Sequence, residues 1–479
     1  MRLSPRRGED CLKGKSESRN ILRKMNRART ILFTGIICIC ATISAQQVYD
    51  LQGCLKYALE NNHNIRKAQF DKEKSAQARN EILGALLPQV SGTGNLNYNI
   101  QKPRFIMPNF MNEFLPPGMQ DPNAAKYMTI EMGTNFAAGI GAALNQQIVN
   151  LSLFNAVDIA RTAEELTALA AEAREEDVIS QTANLFYAIQ ATEYAAGMFG
   201  RSIEIIDSVL ISMETNYLSG LIRKVDLDRL KVTRTNMATQ RASVINAVEV
   251  QKNLLKLQMG MDISDQLEIE KINPETFDSQ ANIEDFRDFN LNFQTSYKML
   301  NRQQNLMQLQ KKSAIYESFP VLTAMINYNY TGVSDEFFRG ETNYWYGSSM
   351  AGLNLRIPLF GGLSRSSKIK QANFEILKVR EDEAILEQSL SMAHKNALLK
   401  LEDSRNAIQV QKANMAMAEE VYRVTERNYS QGIASMSDVL NSNSSLVQAQ
   451  MSYADALNNY MKAYVELRKA SGTIRELVR

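Results

Sequence analysis

The sequence runs through the same order of patterns twice, and this internal repeat limits the folds open to the chain. One helical pattern ends in Leu87-Pro-Gln-Val90, a second ends in Phe319-Pro-Val-Leu322, and residues of alternating polarity follow each of them. Each half then has a second alternating run, a long helical stretch, a glycine and another long helical stretch. Because a repeat of this size is one supersecondary unit, the sequence predicts a duplicated strand–strand–helix–turn–helix unit.

The glycine breaks inside the long helical stretches also match each other. Each has the pattern Tyr-x-x-Gly-apolar, with an aspartate six residues after the glycine. A glycine readily ends a helix in the left-handed conformation, so each break predicts the tip of a helical hairpin. The two breaks consist of Tyr217, Gly220, Leu221 and Asp226, and of Tyr429, Gly432, Ile433 and Asp438.

Residues 1–45 have the composition of an export signal. A basic stretch that ends at Arg29 precedes the apolar run Ile31–Ile43 and two small residues, which is the order of a cleavable secretory signal. The polar residues before this stretch indicate Met25 as the natural start. Cleavage would leave Cys54 as the one cysteine of the mature chain, so no intrachain disulfide is expected. No later apolar run reaches the length of about 18 residues that a transmembrane helix needs, which predicts a chain that is soluble or crosses a membrane as strands.

Four runs of about eleven residues alternate between apolar or small residues and polar residues. This is the length that a tilted strand needs to cross a bilayer. The predicted strands cover about 89–101, 134–148, 321–332 and 343–359. A soluble sheet with one wet face is the alternative to a lipid-facing barrel. The duplication, the export signal and the aromatic residues near the strand ends favour the barrel.

Most of the remaining chain is predicted as helix. Long helical hairpins are expected at about 151–260 and 362–470; the first repeat covers 46–261, the second covers 289–475, and an irregular linker covers 262–288. In the second hairpin a heptad pattern predicts an antiparallel coiled-coil seam. The seam positions are Ala407, Val410, Asn414, Met417, Val421, Val424 and Asn428 on the first helix, and Met436, Val439, Asn443, Leu446, Gln450, Tyr453, Leu457, Tyr460, Tyr464 and Leu467 on the second.

Four strands cannot close a barrel by themselves. An open sheet edge within lipid leaves backbone amides and carbonyls unpaired, at a cost of roughly several kcal/mol each. Further copies of the chain must therefore supply strands, and two copies would give eight strands where three would give twelve. The small and polar residues of the second face suit a wide, water-filled bore, which favours three copies.

Composition and motifs argue against several other functions. The 54 basic and 52 acidic residues nearly cancel, so the chain has no overall positive field for binding nucleic acid. His63 and His394 are the two histidines, and neither has a cysteine at ligand spacing, so no metal site and no cofactor are predicted. The sequence has no nucleophile elbow, P-loop or Cys-x-x-Cys motif, and an enzyme is not predicted.

With these motifs in this order, the chain resembles the TolC-type outer-membrane efflux protein family over about residues 47–475. The two helix-to-strand junctions, the two hairpin tips and Leu355-Arg-Ile-Pro-Leu-Phe-Gly-Gly362 after the last strand carry the resemblance. The resemblance implies an α+β membrane protein whose protomer has four antiparallel barrel strands and very long α-helical coiled-coil hairpins. It also implies a homotrimer, in which a twelve-stranded barrel in the lipid bilayer sits on a twelve-helix periplasmic tunnel.

The function that this resemblance implies is that of a passive outer-membrane exit channel. The channel would belong to a tripartite efflux or type I secretion system, with a periplasmic adaptor protein and an inner-membrane transporter as partners. Its cargo is left open. An exported soluble coiled-coil scaffold or adhesin is the alternative, and it fits the heptads but not the four strand runs. A periplasmic adaptor would have one helical hairpin in a β-rich domain rather than two repeats.

The resemblance further implies roles for residues near the tips. Asp438 matches the first carboxylate of a ring around the periplasmic entrance, and Asn441 occupies the place of the second. Asp226 and Tyr429 match an Asp–Tyr link that helps to keep the entrance closed, while Ala434 stands where some relatives have an arginine. The tip residues implied to contact the adaptor are Gly220, Leu221, Gly432 and Ile433.

Simpler roles for the same residues stay open. Asp226 and Asp438 lie early in predicted helices, where a carboxylate is favourable near the positive end of the helix dipole. Tyr429 could pack in the seam, and both tip glycines could serve as helix caps.

Overall fold

The computed structural model describes residues 48–121, 123–272, 283–337 and 343–479. The predicted export signal at 1–45, with its proposed start at Met25, lies outside the described residues, as do residues 273–282 of the predicted linker. Within the four described ranges, no helix is both long enough and apolar enough to cross a membrane.

Long helices and one central sheet account for most of the described chain. The strands are β1 Val48–Tyr49, β2 Gln89–Tyr98, β3 Arg104–Pro108, β4 Tyr127–Glu131, β5 Phe136–Val149, β6 Glu268–Ile269, β7 Val321–Ser334 and β8 Tyr344–Arg356. The helices are α1 Leu51–Asn61, α2 His63–Gly84, α3 Phe110–Glu113, α4 Leu151–Leu218, α5 Lys224–Met259, α6 Thr295–Tyr316, α7 Ser364–Ser430 and α8 Met436–Ala470.

The central sheet contains β2, β5, β7 and β8, paired in that order and all antiparallel. These strands lie where the alternating runs predict strands. Their register gives the sheet one apolar and one polar face, because residues that pair across strands share a face. On the apolar face Leu144 lies between Val90 and Ile326, whereas on the other face Gly141 lies opposite Asn329. Within the described residues β2 and β8 each have a strand partner on one side, so the sheet is open at both edges.

The two longest helices run the whole length of the helical region. With 68 and 67 residues, α4 and α7 are each about 100 Å long at 1.5 Å per residue. Between the sheet and mid-length the helices lie side by side in the order α2–α4–α6–α7, and from mid-length to the tips in the order α5–α4–α8–α7. The outermost helices on the tip side are therefore α5 and α7.

Two matching joints connect these helical layers at mid-length. Asn62 has an extended backbone between α1 and α2, and its side chain accepts a hydrogen bond from Ile65 N, which caps α2. The Asn62 amide also donates to the Gln258 carbonyl in the last turn of α5, at 2.5 Å. Gln294 makes the corresponding long-range bond before α6: its side-chain amide donates to the Ala470 carbonyl at the end of α8, at 2.6 Å. The C-terminal ends of α5 and α8 are therefore hydrogen-bonded to the residues that precede α2 and α6, respectively.

The largest buried cluster surrounds these joints. It includes Leu55, Ile179, Leu255, Leu401 and Leu457, all with 1% or less of their surface exposed. These residues come from five helices, so the mid-length region holds the hairpins of the two halves together.

The described part of the predicted linker is irregular and packs onto this cluster. β6 pairs in parallel with β1, and a single 3-10 turn covers Ile283–Phe286. The buried His394 ring on α7 forms a hydrogen bond through Nε2 to the Phe286 carbonyl at 2.9 Å and stacks on Phe289. The linker is thus fixed to α7 through a histidine that needs no metal to explain its burial.

The predicted coiled-coil seam is confirmed on α8 and wrong on α7. The predicted positions on α8 are buried or half-buried. On α7, however, Val410, Met417 and Val421 are 63%, 64% and 55% exposed, whereas Ile408 and Tyr422 are buried. The face of α7 that packs on α8 therefore lies one residue later than predicted. Because α7 has apolar residues at both sets of heptad positions, their spacing did not distinguish the two faces.

Candidate functional site at the helical tips

Both hairpins turn through a glycine in the left-handed conformation. Gly220 has φ 73° and Gly432 has φ 75°. The residue after each glycine donates its amide back into the helix: Leu221 N to Asn216 O at 2.9 Å in one turn, and Ile433 N to an equivalent carbonyl at 2.8 Å in the other. This is the helix cap expected of these glycines. It leaves Leu221 and Ile433 exposed at 74% and 73% of their surface, at the ends of the molecule.

Asp226 and Tyr429 lie near the tips of different hairpins, and the charge of Asp226 acts on Tyr429. Asp226 lies in the first turn of α5, and Tyr429 is half-buried near the end of α7. Burial raises the pKa of Tyr429, and the negative charge of the nearby Asp226 raises it further. No hydrogen bond joins the two side chains in the described structure, so their coupling here is electrostatic. Tyr429 also continues the buried row of Ile408 and Tyr422 at seven-residue spacing, so packing and coupling coexist at this position.

Asp438 caps its own helix. Its backbone amide donates to Ser435 Oγ at 3.2 Å, and its Oδ2 atom accepts from Ser435 N at 2.8 Å and from Ser435 Oγ at 2.6 Å. These reciprocal bonds form a capping box at the start of α8. The two bonds from Ser435 lower the pKa of Asp438. The simpler role of this aspartate, stabilising a helix terminus, is therefore present in the structure.

Asn441 is exposed on the first turns of α8, three residues after Asp438, and its backbone carbonyl accepts from Ser445 Oγ at 3.0 Å. The charge of Asp226 thus acts on Tyr429, while Asp438 and Asn441 are exposed in the first turns of α8. A ring of Asp438 carboxylates would require further copies of the chain, and its existence remains a prediction.

An apolar cluster beneath the tips packs the two hairpins against each other. All four long helices contribute to it. Its buried members are Ile206, Val209, Leu210, Met213, Leu227, Leu230, Met237, Tyr422, Met436, Val439 and Leu446. Asn443 lies in the same row of α8, and its amide nitrogen contacts Met237 Sδ of α5 at 3.8 Å.

Ion pairs brace one hairpin near its tip and were not predicted from the sequence. Arg234 of α5 donates two hydrogen bonds to Asp207 of α4, at 2.5 and 3.1 Å, and these bonds lower the pKa of Asp207. Lys231 and Glu214 form a second pair at 2.8 Å. Opposite charges on the two sides of Gly220 are the sequence signal that could have revealed them. In the described residues the one ion pair between α7 and α8 is that of Lys400 and Glu466, far from the tip.

Over the described ranges, no group of three or more His, Cys, Asp or Glu side chains could hold a metal ion. The polar groups near the tips instead cap helices, form ion pairs or couple one hairpin to the other. Such an arrangement can control how tightly the hairpins pack.

Comparisons with known proteins agree on one family and one fold. Residues 295–473 match the outer membrane efflux protein family. The chain is 21% identical over 453 residues to the outer membrane protein TolC of Escherichia coli strain K12, a match that covers 90% of this chain and 84% of that protein.

Solved outer-membrane channels share the fold. The CmeC outer membrane channel of Campylobacter jejuni has a TM-score of 0.68 at 15% identity, over 88% of this chain and 85% of that one. The outer membrane protein VceC of Vibrio cholerae has a TM-score of 0.67 at 12% identity, over 88% of this chain and 96% of that one. The family match over residues 295–473, the similarity to TolC along most of the chain and the shared fold show that this chain resembles the TolC-type outer membrane efflux proteins, which indicates a location in the outer membrane with the long helices in the periplasm.

Proposed function

We propose that three copies of this chain form a passive exit duct across the outer membrane. The observation that carries the proposal is the open four-stranded sheet, with its apolar face, its polar face and its two edge strands β2 and β8. Within lipid each edge must pair with another strand. Pairing β8 of one copy with β2 of the next would close a twelve-stranded barrel, with the apolar face toward lipid and the polar face around a watery bore.

The outermost helices support the same assembly. Val225, Val232, Val250, Leu254 and Leu257 are exposed on α5, and we call them the α5 stripe. The α7 stripe consists of Val410, Met417, Val421 and Val424, which are exposed on the helix at the opposite side. Apolar rows of this length on a helix face are typical of contacts between chains. Packing the α7 stripe of one copy near the α5 stripe of the next would close a twelve-helix tunnel.

An internal duplication would give the tunnel its regularity. The helices α4 and α7 differ by one residue in length, and so do α5 and α8, with 36 and 35 residues. The two mid-length joints, at Asn62 and Gln294, also use the same kind of amide–carbonyl bond. Similar repeats would place similar helices around the duct, which supports a pseudo-sixfold tunnel from three chains.

A periplasmic adaptor would dock at the tips, and an inner-membrane transporter would supply the energy for export. The side chains of Leu221 and Ile433 are exposed on capped turns. They support docking, because an apolar side chain exposed to water at a tip adds stability only when a partner covers it. Engagement of the tips would shift the hairpins apart and widen the entrance. Asp226 and Tyr429 would act as a link that favours the narrow state, and Asp438 would line the entrance.

Reconstitution tests the assembly. The purified chain in detergent is expected to have the mass of a trimer, to migrate differently on gels with and without heating, and to form ion-conducting pores in planar lipid bilayers. A monomer that fractionates with soluble periplasmic proteins and forms no pores would instead support the scaffold or adhesin.

The proposed link predicts a leaky channel when it is removed. In an Asp226→Ala, Tyr429→Phe variant the ratio of wide to narrow states should rise about tenfold or more, because the proposed narrow state of the trimer would pair the Asp226 carboxylate with the Tyr429 hydroxyl, and the variant lacks this hydrogen bond to a charged group. Single-channel recording measures this ratio. Asp228→Ala is the matched control, since Asp228 is exposed on the same helix. Equal resting currents in the double variant and the control would refute the link.

A further inference from the structure

Asn443 is a buried amide with almost no hydrogen bonding. Its side chain is 2% exposed, and it lies in the row of α8 that includes the buried Val439 and Leu446. Its nitrogen has Met237 Sδ of α5 as a weak partner at 3.8 Å, and its Oδ1 atom has no hydrogen-bond partner among the described residues. The amide therefore sits in the contact between the two hairpins with its polar atoms nearly unsatisfied.

A buried amide of this kind weakens the contact in which it lies. Taking its oxygen out of water without a partner costs free energy, and the cost is recovered when the two helices separate and water reaches the group. A single polar residue in an otherwise apolar helix row also selects one register, at the expense of stability. Asn443 thus opposes the packing that Val439 and Leu446 favour.

The two hairpins are braced differently on either side of this contact. The first is tied near its tip by Asp207–Arg234 and Glu214–Lys231, whereas the described residues of α7 and α8 contain no ion pair between these helices near the tip. The α7/α8 hairpin is therefore the less constrained of the two near the tips, and Asn443 lies where it packs on the α4/α5 hairpin.

We infer that Asn443 is a built-in release element, which keeps the packing of the α7/α8 hairpin on the α4/α5 hairpin weak enough for docking at the tips to undo it. The inference rests on the proposed exit-duct function, because it names the residue whose desolvation cost would favour the separation of the hairpins proposed there. Asn443 acts on the equilibrium between packed and separated hairpins and touches neither the cargo nor the adaptor.

Hydrogen exchange and conductance test this inference separately. Asn443→Leu replaces the amide with an apolar group of similar shape and should slow the exchange of α8 amides near the tip about tenfold. In the Asp226→Ala, Tyr429→Phe background the same substitution should lower the ratio of wide to narrow states about tenfold. Asn443→Val removes the amide with less volume and should act in the same direction, which separates loss of the polar group from altered packing. Gln448→Leu changes an exposed amide on the same helix and should leave both readouts unchanged.

The outcomes separate the inference from the proposed function. Slower exchange in both Asn443 variants and a lower ratio of wide states support the release element. Unchanged or faster exchange in both variants overturns it, even if the pores are normal. If neither the unsubstituted protein nor any variant forms pores, the exit duct is refuted. The exchange measurement would still decide whether Asn443 weakens the contact between hairpins.

Discussion

Gly260→Ala is expected to destabilise the protein by about 3–5 kcal/mol. Gly260 ends α5 at a mid-length joint with φ 75°, a conformation that costs an alanine about 1–2 kcal/mol. A Cβ atom there would also lie 2.3 Å from the Asn61 carbonyl oxygen and 2.8 Å from its carbon. Both atoms belong to the backbone at the end of α1, so neither can move aside without opening the joint.

Two matched glycines separate the causes. Gly220 has φ 73° but nothing within 4 Å of its Cβ position, so Gly220→Ala should cost about 1–2 kcal/mol from conformation alone. Gly197 has an ordinary helical backbone and open space, and Gly197→Ala should stabilise α4 by about 0.5–1 kcal/mol. Loss of helical circular dichroism with denaturant in detergent measures all three. Equal costs at Gly260 and Gly220 would show that the close approach at the joint contributes nothing.

The sequence predicted the strands well because their pattern is local. Alternation of polarity along β2 and β7 needs no knowledge of partners, and the pairing of Leu144 with Val90 and Ile326 follows once the strands adjoin. The mid-length joints could not be predicted in this way. Asn62 and Gln258 lie 196 residues apart, and neither has a distinctive sequence context.

The tips show what a motif can and cannot predict. Glycine and aspartate at fixed spacing predicted the turns and the carboxylates near helix starts, because these are properties of a few consecutive residues. The proximity of Asp226 to Tyr429 depends on how two hairpins pack, and it entered the prediction through family resemblance alone. Asn443 was predicted as a seam position, but that its oxygen lacks a partner depends on what surrounds it in three dimensions.

The error on α7 has a physical cause that leads to a test. The helix has one apolar row that contains Ile408 and Tyr422 and packs within the chain, and a second row, the α7 stripe, that the single chain leaves exposed. A heptad pattern reports that a helix face is apolar but not which chain covers it. The α7 stripe therefore has no use in the isolated protomer and is explained if neighbouring copies cover it.

Met417→Asp is therefore expected to abolish the trimer while leaving the protomer folded. Met417 is 64% exposed in the single chain, so an aspartate there costs the protomer little. In a closed tunnel three such carboxylates would be buried against apolar neighbours, at roughly several kcal/mol each, which exceeds what an interface can absorb. Val232→Asp in the α5 stripe should act in the same way from the other side. Light scattering in detergent measures the mass, and circular dichroism the helix content.

Ala416→Asp is the matched control, because Ala416 is exposed on the neighbouring face of α7, which also carries Lys412 and Glu420. That face already holds charged side chains in water, so a further carboxylate should leave the trimer intact. A trimer that tolerates aspartate at Met417 as well as at Ala416 would mean that the α7 stripe faces solvent in the assembly, and the closed tunnel would lose its main support. If Met417→Asp dissociates the trimer and Ala416→Asp does not, the row of residues mistaken for an intrachain seam is the contact between protomers.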